Sequence, residues 1–233
     1  MATALLVALC AGFYSCGGDN DETPLNNDDN SNISNENGNS VIVGTTAMVQ
    51  LKKVGALSTL ISDNVKFNIT DLRIMGDING DDIALIREMA GADVKGNETN
   101  GKLANLNLSN ANLVNGGIYY TGITQEVSSS NELWQYMFYK CGSLTSIVLP
   151  NNIAHIGAFA LSYSGITSFT IPNNIQTIGN EAFANCTKLE SIVIGNSIVS
   201  AAENMLDGCI NLKKIRMLSD NSTYTIEGKI FQN

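Results

Sequence analysis

Four oxygen-bearing side chains stand at the spacing of a calcium loop in DINGDDIALIRE: Asp77, Asn79 and Asp81 at positions 1, 3 and 5, and Glu88 at position 12. Such a loop wraps a hard cation in oxygens, and its sharp turn calls for glycine at position 6. Asp82 stands there instead, Ala84 replaces a large apolar residue at position 8, and no second copy of the loop is present. The same residues suit a helix start, with Asn79 or Asp81 as the cap ahead of Ile83, Ile86 and Met89 at helical spacing. Capping is the better reading, so Asp77, Asn79, Asp81 and Glu88 stand as a secondary calcium candidate and no metal site is assigned.

Thiol and imidazole chemistry have little to build with. His155 is the only histidine, which leaves a histidine-based triad or a multi-histidine metal site without material, and it reads as an exposed turn residue. Cys141, Cys186 and Cys209 recur in similar local sequence, and three mature thiols cannot all pair. A reactive cysteine needs a basic, accessible neighbourhood, whereas a buried free cysteine behaves as a compact hydrophobe. Packing is therefore expected for all three. No phosphate-binding glycine loop is found, and neither catalysis nor a cofactor is expected.

Aromatic residues concentrate in GIYYTGITQEVSSSNELWQYMFYK, residues 117–140. Tyr119, Tyr120, Trp134 and Tyr136 could form a platform on which sugar faces stack. The other reading is that these rings seal a junction between two parts of the fold, since aromatics supply the most buried area per residue.

Charge narrows the partners. The net charge is −9, but residues 1–40 hold six acids (Asp19, Asp21, Glu22, Asp28, Asp29, Glu36) and no Lys or Arg. The remainder carries about −3 and lacks the concentrated basic surface that nucleic acid requires. No apolar run reaches the eighteen or so residues of a membrane span.

The first residues read as an address. Ala4 to Phe13 form an apolar run of signal-peptide length, without the usual basic residues before it. Ser15-Cys16 resembles a lipobox and fits better than Cys10, which follows Leu9; Cys16 is the expected lipidation site. The following CGGDNDE resembles the acidic signal that sends bacterial lipoproteins to the outer face of the outer membrane. An ordinary cleaved signal with a coincidental cysteine is the alternative. Acylation would make a stable outer-membrane anchor, because each buried methylene adds about 0.8 kcal/mol. Residues 17–40 are rich in Gly, Asn, Asp and Ser and are expected to be a disordered tether.

The strongest internal signal is a repeat. LTSIVLPNNI from Leu144, ITSFTIPNNI from Ile166, LESIVIGNSI from Leu189 and LKKIRM from Leu212 align at steps of 22, 23 and 23 residues. A period in the low twenties with LxxLxL strands marks a solenoid whose units bury their faces only by stacking. Period two sends Ile147, Leu149, Ile192 and Ile194 inward. The outward set, a candidate ligand face, is Ser146, Val148, Ser168, Thr170, Ser191, Val193, Lys214 and Arg216. Between strands, Gly157 and Gly179 permit close backbone approach, and Ala160-Leu161, Ala182-Phe183 and Met205-Leu206 are expected to form a helical turn facing inward. Cys141, Cys186 and Cys209 align as a ladder, with Tyr163 at the equivalent place in the second repeat.

Written as (I/L)xxIxIPNxIxxIGxxAFxxCxxL, the repeats resemble the BspA-like leucine-rich repeats of bacterial surface proteins. Trp134 in place of glycine, Tyr163 in place of cysteine and Gly195 in place of proline depart from the pattern. The resemblance implies a surface protein of an adhesin or protein-binding kind. Upstream, ITDLRI from Ile69 and LANLNL from Leu103 are weaker versions of the same strand. With the helix between them and a short helix at 55–62, they resemble an N-terminal cap.

The expected fold is an α/β leucine-rich-repeat solenoid with a strand-helix cap. The expected segments are a signal peptide at 1–15, a lipidated tether at 16–40, a cap with degenerate repeats at 41–130, about four repeats at 131–221, and a C-terminal strand or truncated repeat at 222–233. The expected function is a cell-surface lipoprotein that binds a protein ligand, a host matrix protein or another surface protein. Glycan binding through the aromatic platform and a spacer without its own ligand are the alternatives.

Overall fold

The computed structural model describes residues 30–121, 131–218 and 223–227. The signal peptide, Cys16 and the first part of the tether lie outside the described residues. In chain order the strands of the first part are β1 (Asn30–Asn35), β2 (Gly38–Val43), β3 (Thr46–Leu51), β4 (Asp71–Ile78) and β5 (Asn105–Leu113), with one helix, α1 (Gly80–Met89), between β4 and β5. In the second part, short strands alternate between two walls: β6 (Glu132–Leu133), β7 (Ser146–Val148), β8 (His155–Ile156), β9 (Ser168–Thr170), β10 (Thr177–Ile178), β11 (Ser191–Ile194), β12 (Ser200–Ala201), β13 (Lys214–Leu218) and β14 (Thr223–Glu227).

The chain winds as a solenoid. On one wall β3, β4, β5 and β7 pair in parallel, followed by β9, β11 and β13. The residue before each strand bonds to its counterpart one coil back: Thr70 N–H to Thr45 O (2.8 Å), Ala104 to Thr70 (2.8 Å), Thr145 to Ala104 (2.9 Å), Thr167 to Thr145 (3.2 Å), Glu190 to Thr167 (2.8 Å) and Lys213 to Glu190 (2.9 Å). Cap and repeats are thus one continuous stack. The opposite wall is the parallel sheet β6-β8-β10-β12. Leucine, isoleucine and phenylalanine side chains of both walls fill the space between them.

The return segment is not helical, which corrects the α/β expectation: beyond α1 and two single-turn 3-10 helices, Leu57–Thr59 and Lys66–Asn68, the described residues are strands and turns. Alternate N–H groups bond three residues back within the turn, as Met137 to Trp134 and Ser162 to Phe159, and the others bond to the next coil. Tyr136, Phe138 and Lys140 N–H groups donate to Ala158, Ala160 and Ser162, and Phe159, Leu161 and Tyr163 donate to Asn180, Ala182 and Ala184. Such alternation requires left-handed backbone at every fourth or so residue. Tyr136, Lys140, Phe159, Tyr163, Glu181 and Asn185 have φ between 52° and 61°. A non-glycine residue held there costs about 1–2 kcal/mol, which the inter-coil hydrogen bonds offset.

Close approach explains the repeat glycines. A Cβ on Gly157 would lie 2.7 Å from Gln135 N, and one on Gly179 would lie 2.7 Å from Ala158 N. Trp134 occupies the same place in the first coil, where the neighbour is not another such turn but the ring of Tyr119, 5.3 Å away.

The tether reading is corrected at its end. Residues 30–43 form the β1-β2 hairpin, which extends the sheet through β3. The burial of β2 alternates strictly, and Ser40 points inward to donate to Leu60 O at 2.7 Å. At the other end, β14 pairs antiparallel with β13. The aligned position of the cysteine ladder also shifts by one: Lys140-Cys141, Tyr163-Ser164, Asn185-Cys186 and Gly208-Cys209 correspond, each with a left-handed residue followed by a buried small one. Ser164, not Tyr163, is the second rung.

Candidate ligand face

The outward side chains of the strand wall line up in two columns. One runs Thr46, Asp71, Asn105, Ser146 and the other Met48, Arg73, Asn107, Val148. The columns continue as Ser168, Ser191, Lys214 and as Thr170, Val193, Arg216. Ser146, Val148, Ser168, Thr170, Lys214 and Arg216 are exposed, whereas Ser191 and Val193 are half-buried. The eight residues expected on this face therefore lie on it, and the cap adds three rungs that were not included, of which Asn105 is exposed, Met48 is buried and the rest are half-buried. Their outward identity was legible, because in ITDLRI and LANLNL the residues flanking the inward Leu72 and Leu106 are Asp71, Arg73, Asn105 and Asn107.

Two clefts mark the face. Where the strand pairing lapses between β7 and β9, a cleft of about 390 Å³ is lined by Ser146, Val148, Pro150, Ser168, Thr170 and Asn174. A second, of about 240 Å³, lies over the first four rungs, with Arg73 among its lining residues. Asp71 is held on both oxygens, by Thr70 Oγ1 at 2.7 Å and by Asn105 Nδ2 at 2.8 Å.

The calcium candidate does not assemble. Asp77 is exposed on β4 and accepts from Asn112 Nδ2 (3.1 Å). Asn79 caps α1, accepting from Asp81 and Asp82 N–H. Asp81 accepts from Ile118 N–H, and Glu88 pairs with Lys66 Nζ at 3.0 Å, two turns away along the helix. Asp82 completes the capping box and also takes the N–H groups of Gly55 (2.8 Å) and Leu57 (2.9 Å). Burial pushes its carboxyl above the usual range, and the backbone N–H groups of Leu57, Gly55 and Asn79 oppose the shift.

The aromatic platform is divided by burial. Trp134 is 2% exposed and Tyr119 3%, with the Tyr119 hydroxyl donating to Gln135 O at 2.8 Å. Both belong to the core, which corrects their place in an exposed platform. Tyr120 and Tyr136 are half-buried and stack at 5.1 Å; Tyr136 stacks in turn on Phe159 at 4.7 Å, and Tyr139 meets Tyr163 edge-on at 5.6 Å. Because Trp134 is the only tryptophan, its burial gives a direct expectation. Native emission should be blue-shifted, and acrylamide quenching should rise several-fold only on unfolding.

His155 lies on β8, not in a turn, with Nδ1 2.8 Å from Thr177 Oγ1. Cys186 and Cys209 donate to Leu161 O and Phe183 O, each at 3.1 Å, one coil back. Burial pushes the Cys141 thiol up to about 11, and the Cys209 thiol is pushed up by its own interaction with Cys186 and by burial. The Cys186 and Cys209 thiols thus tie coils together. No group of metal-binding side chains is found among the described residues, and no helix among them is long and apolar enough to cross a membrane.

The residue that sequence reading missed outright is Arg87. It is fully buried, and its guanidinium donates to four carbonyls: Tyr136 and Met137 at 3.0 Å through Nη1, and Asp93 (3.0 Å) and Tyr139 (3.1 Å) through Nη2. Its carbon centre lies 5.1 Å from the Tyr120 ring. In the sequence it is an ordinary helix residue, and only the stacking of the first coil on α1 gives it this role.

Parallel rungs at 22 and 23 residue steps, small side chains ladder-stacked inside and a polar strand face outside define a leucine-rich-repeat solenoid. Residues 121–233 match the BspA type leucine rich repeat region in six copies, and this part of the chain belongs to that family. Among curated proteins, none matches the chain. Solved structures that resemble it include a leucine-rich repeat protein from Bacteroides ovatus (23% identity, TM-score 0.42, covering 66% of this chain and 32% of that one). Another is a leucine-rich repeat protein from Eubacterium ventriosum (13% identity, TM-score 0.45, covering 82% and 46%). A third is a leucine rich cell surface protein from Faecalibacterium prausnitzii (12% identity, TM-score 0.28, covering 85% and 77%). The chain spans less than half the length of the first two.

Proposed function

We propose that this chain is a cell-surface lipoprotein, acylated at Cys16 and held to the outer membrane, whose strand wall binds an extended segment of a partner protein. The partner class is a host matrix protein or another surface protein, which makes adhesion the function. The observation that carries the reading is the seven-strand face from β3 to β13, whose outward positions are in register from β3 to β7 and again from β9 to β13. Small polar side chains over most of its length leave room for a partner backbone, and Lys214 and Arg216 favour acids at one end.

The test is binding of the purified chain to an array of matrix and surface proteins. Saturable binding that falls about tenfold or more in Thr170→Arg, which fills the middle of the face, supports the reading. No saturable binding, or binding indifferent to that variant, counts against it. Location is tested separately by fatty-acid incorporation in wild type and Cys16→Ala, with protease shaving of intact cells.

Glycan recognition is the second reading, moved to the row of Tyr120, Tyr136, Phe159, Tyr139 and Tyr163 by the stacking just described. Tyr163 is 48% exposed. Polysaccharide binding lost in Tyr163→Ala would favour it over the strand wall.

A further inference from the structure

We infer that Arg73 is the anchor for a carboxylate of the partner, an Asp or Glu side chain on an extended acidic segment seated across β3, β4, β5 and β7. This rests on the reading of the strand wall as a protein-binding face and specifies its chemistry at one end.

The Arg73 guanidinium is poised but unused. Its Nε is shielded from solvent and has no hydrogen-bond partner, and no hydrogen bond or ion pair to the guanidinium is found among the described residues. The two Nη groups are not shielded in this way and likewise have no protein partner among the described residues, so they are the donors open to a ligand. The chain's own carboxylate on this stretch of the face does not supply a partner: both Asp71 oxygens are held by Thr70 and Asn105. Arg87 makes the comparison within the same molecule. Its Nε is also unpaired, yet its two Nη groups donate to four carbonyls, whereas those of Arg73 donate to none.

The surroundings specify what would fit. The cleft of about 240 Å³ is lined by Thr46, Met48, Arg73, Asn105, Asn107 and Val148 among others, and Arg73 is the one cationic residue lining it. Asn107 Oδ1 is occupied by the Ser109 N–H at 3.0 Å, which leaves its amide nitrogen as the group with donors to offer. The strand pairing slips by one residue just beyond Arg73, between Arg73 and Met75, a bulge of the kind that re-aims side chains beside binding sites. Asp71 also lines the cleft, but each of its oxygens already accepts a hydrogen bond, which leaves the Arg73 guanidinium as the charged group there without a partner; its planar fork matches the two oxygens of a carboxylate. Val148, 47% exposed, supplies an apolar wall for a neighbouring side chain of a peptide, and Met48, 2% exposed, lies at the floor of the cleft. No aromatic residue lines the cleft, so it lacks the ring face on which an acidic sugar would stack.

The three arginines Arg73, Arg87 and Arg216 make a direct experiment possible. In chain labelled with [15N]arginine, each gives one Nε–Hε signal. Titration at low ionic strength with the blocked peptide acetyl-Ser-Glu-Thr-Glu-Ser-amide should move the Arg73 signal saturably and leave Arg87 in place. The Gln counterpart should bind about tenfold more weakly, as should the Glu peptide to Arg73→Gln, because a charge-assisted fork is lost in each case. Arg73→Lys should recover only part of the binding, and Arg73→Gln should melt at or above wild type. If the peptide shifts the Ser168 and Thr170 amides but not Arg73, the face binds protein and the Arg73 anchor is wrong; if nothing on the face moves, both readings fall. A glucuronate oligosaccharide that moves Arg73 when the peptide does not would overturn the peptide in favour of an acidic glycan. Marked destabilisation of Arg73→Gln would make Arg73 a structural residue and end the proposal.

Discussion

Replacing Arg87 by Met should lower stability by about 3–5 kcal/mol, measured as the loss in urea unfolding free energy, because four carbonyls, one buried and three partly buried, lose their donor at once. The carbonyls of Tyr136, Met137 and Tyr139 belong to the first coil, where two of the residues in this stretch, Tyr136 and Lys140, are left-handed. The carbonyl of Asp93 belongs to the loop after α1. One side chain therefore joins cap to repeat, and no carboxylate is among its hydrogen-bond partners. The carbonyl cluster, the C-terminal end of the helix dipole and the face of Tyr120 together replace a counter-ion. Arg87→Lys should recover little, since an ammonium has three donors on one atom and cannot span four carbonyls in a plane. By contrast, Lys66→Met removes an ion pair with the exposed Asp63 and the partly exposed Glu88 and should cost no more than about 1 kcal/mol. An Arg87→Met variant as stable as that control would remove Arg87 as the clamp.

How much of this was legible depends on whether a position is governed by its own coil or by the next one. The strand wall was legible, because LxxLxL fixes inward and outward side chains by period two wherever the strand repeats, including Ile69 to Ile74 and Leu103 to Leu108. The return segment was not. Its Ala-Leu and Ala-Phe pairs have a helical look, but the backbone N–H of Phe159 or Leu161 finds its acceptor 21 residues later, in Asn180 and Ala182. No local pattern reports a hydrogen bond of that range. The left-handed positions are held by Tyr, Lys, Phe, Glu and Asn, where composition would have demanded glycine.

The tether boundary failed for a related reason. Averaged over 17–40, composition is too polar to order a chain. A hairpin on the edge of an existing sheet needs only one apolar face, and Ile33 and Ile42 with the inward Ser40 are enough for that. The glycine rule, by contrast, was read correctly at Gly157 and Gly179, and the same close approach explains why Trp134 is tolerated where the stacked neighbour is a ring.

Phe183→Ala is the second large effect, and its location carries as much information as its size. Phe183 is fully buried, its ring centre 5.0 Å from that of Phe169 in the preceding coil. Its N–H bonds to Met205 O in the following coil and its carbonyl accepts from Cys209 Sγ. With its backbone held on both sides, the site cannot collapse onto the void. The loss should therefore be about 3–5 kcal/mol, whereas Phe159→Ala, on a half-exposed ring stacked on Tyr136, should cost about 1 kcal/mol. In a solenoid each coil contacts only its neighbours, so the damage should remain on the C-terminal side. Amide exchange should quicken through residues 189–218 while residues 46–113 keep their protection. Trp134 reports the first coil and circular dichroism reports all of them, so in Phe183→Ala the dichroic signal should be lost at lower urea than the fluorescence signal. In Arg87→Met the fluorescence should change no later than the dichroism, because the lost clamp holds the coil in which Trp134 sits. Coincident transitions in Phe183→Ala with a loss under about 1 kcal/mol would mean that the third coil tolerates an empty centre, and stacking of buried rings would then not be what holds the repeats together.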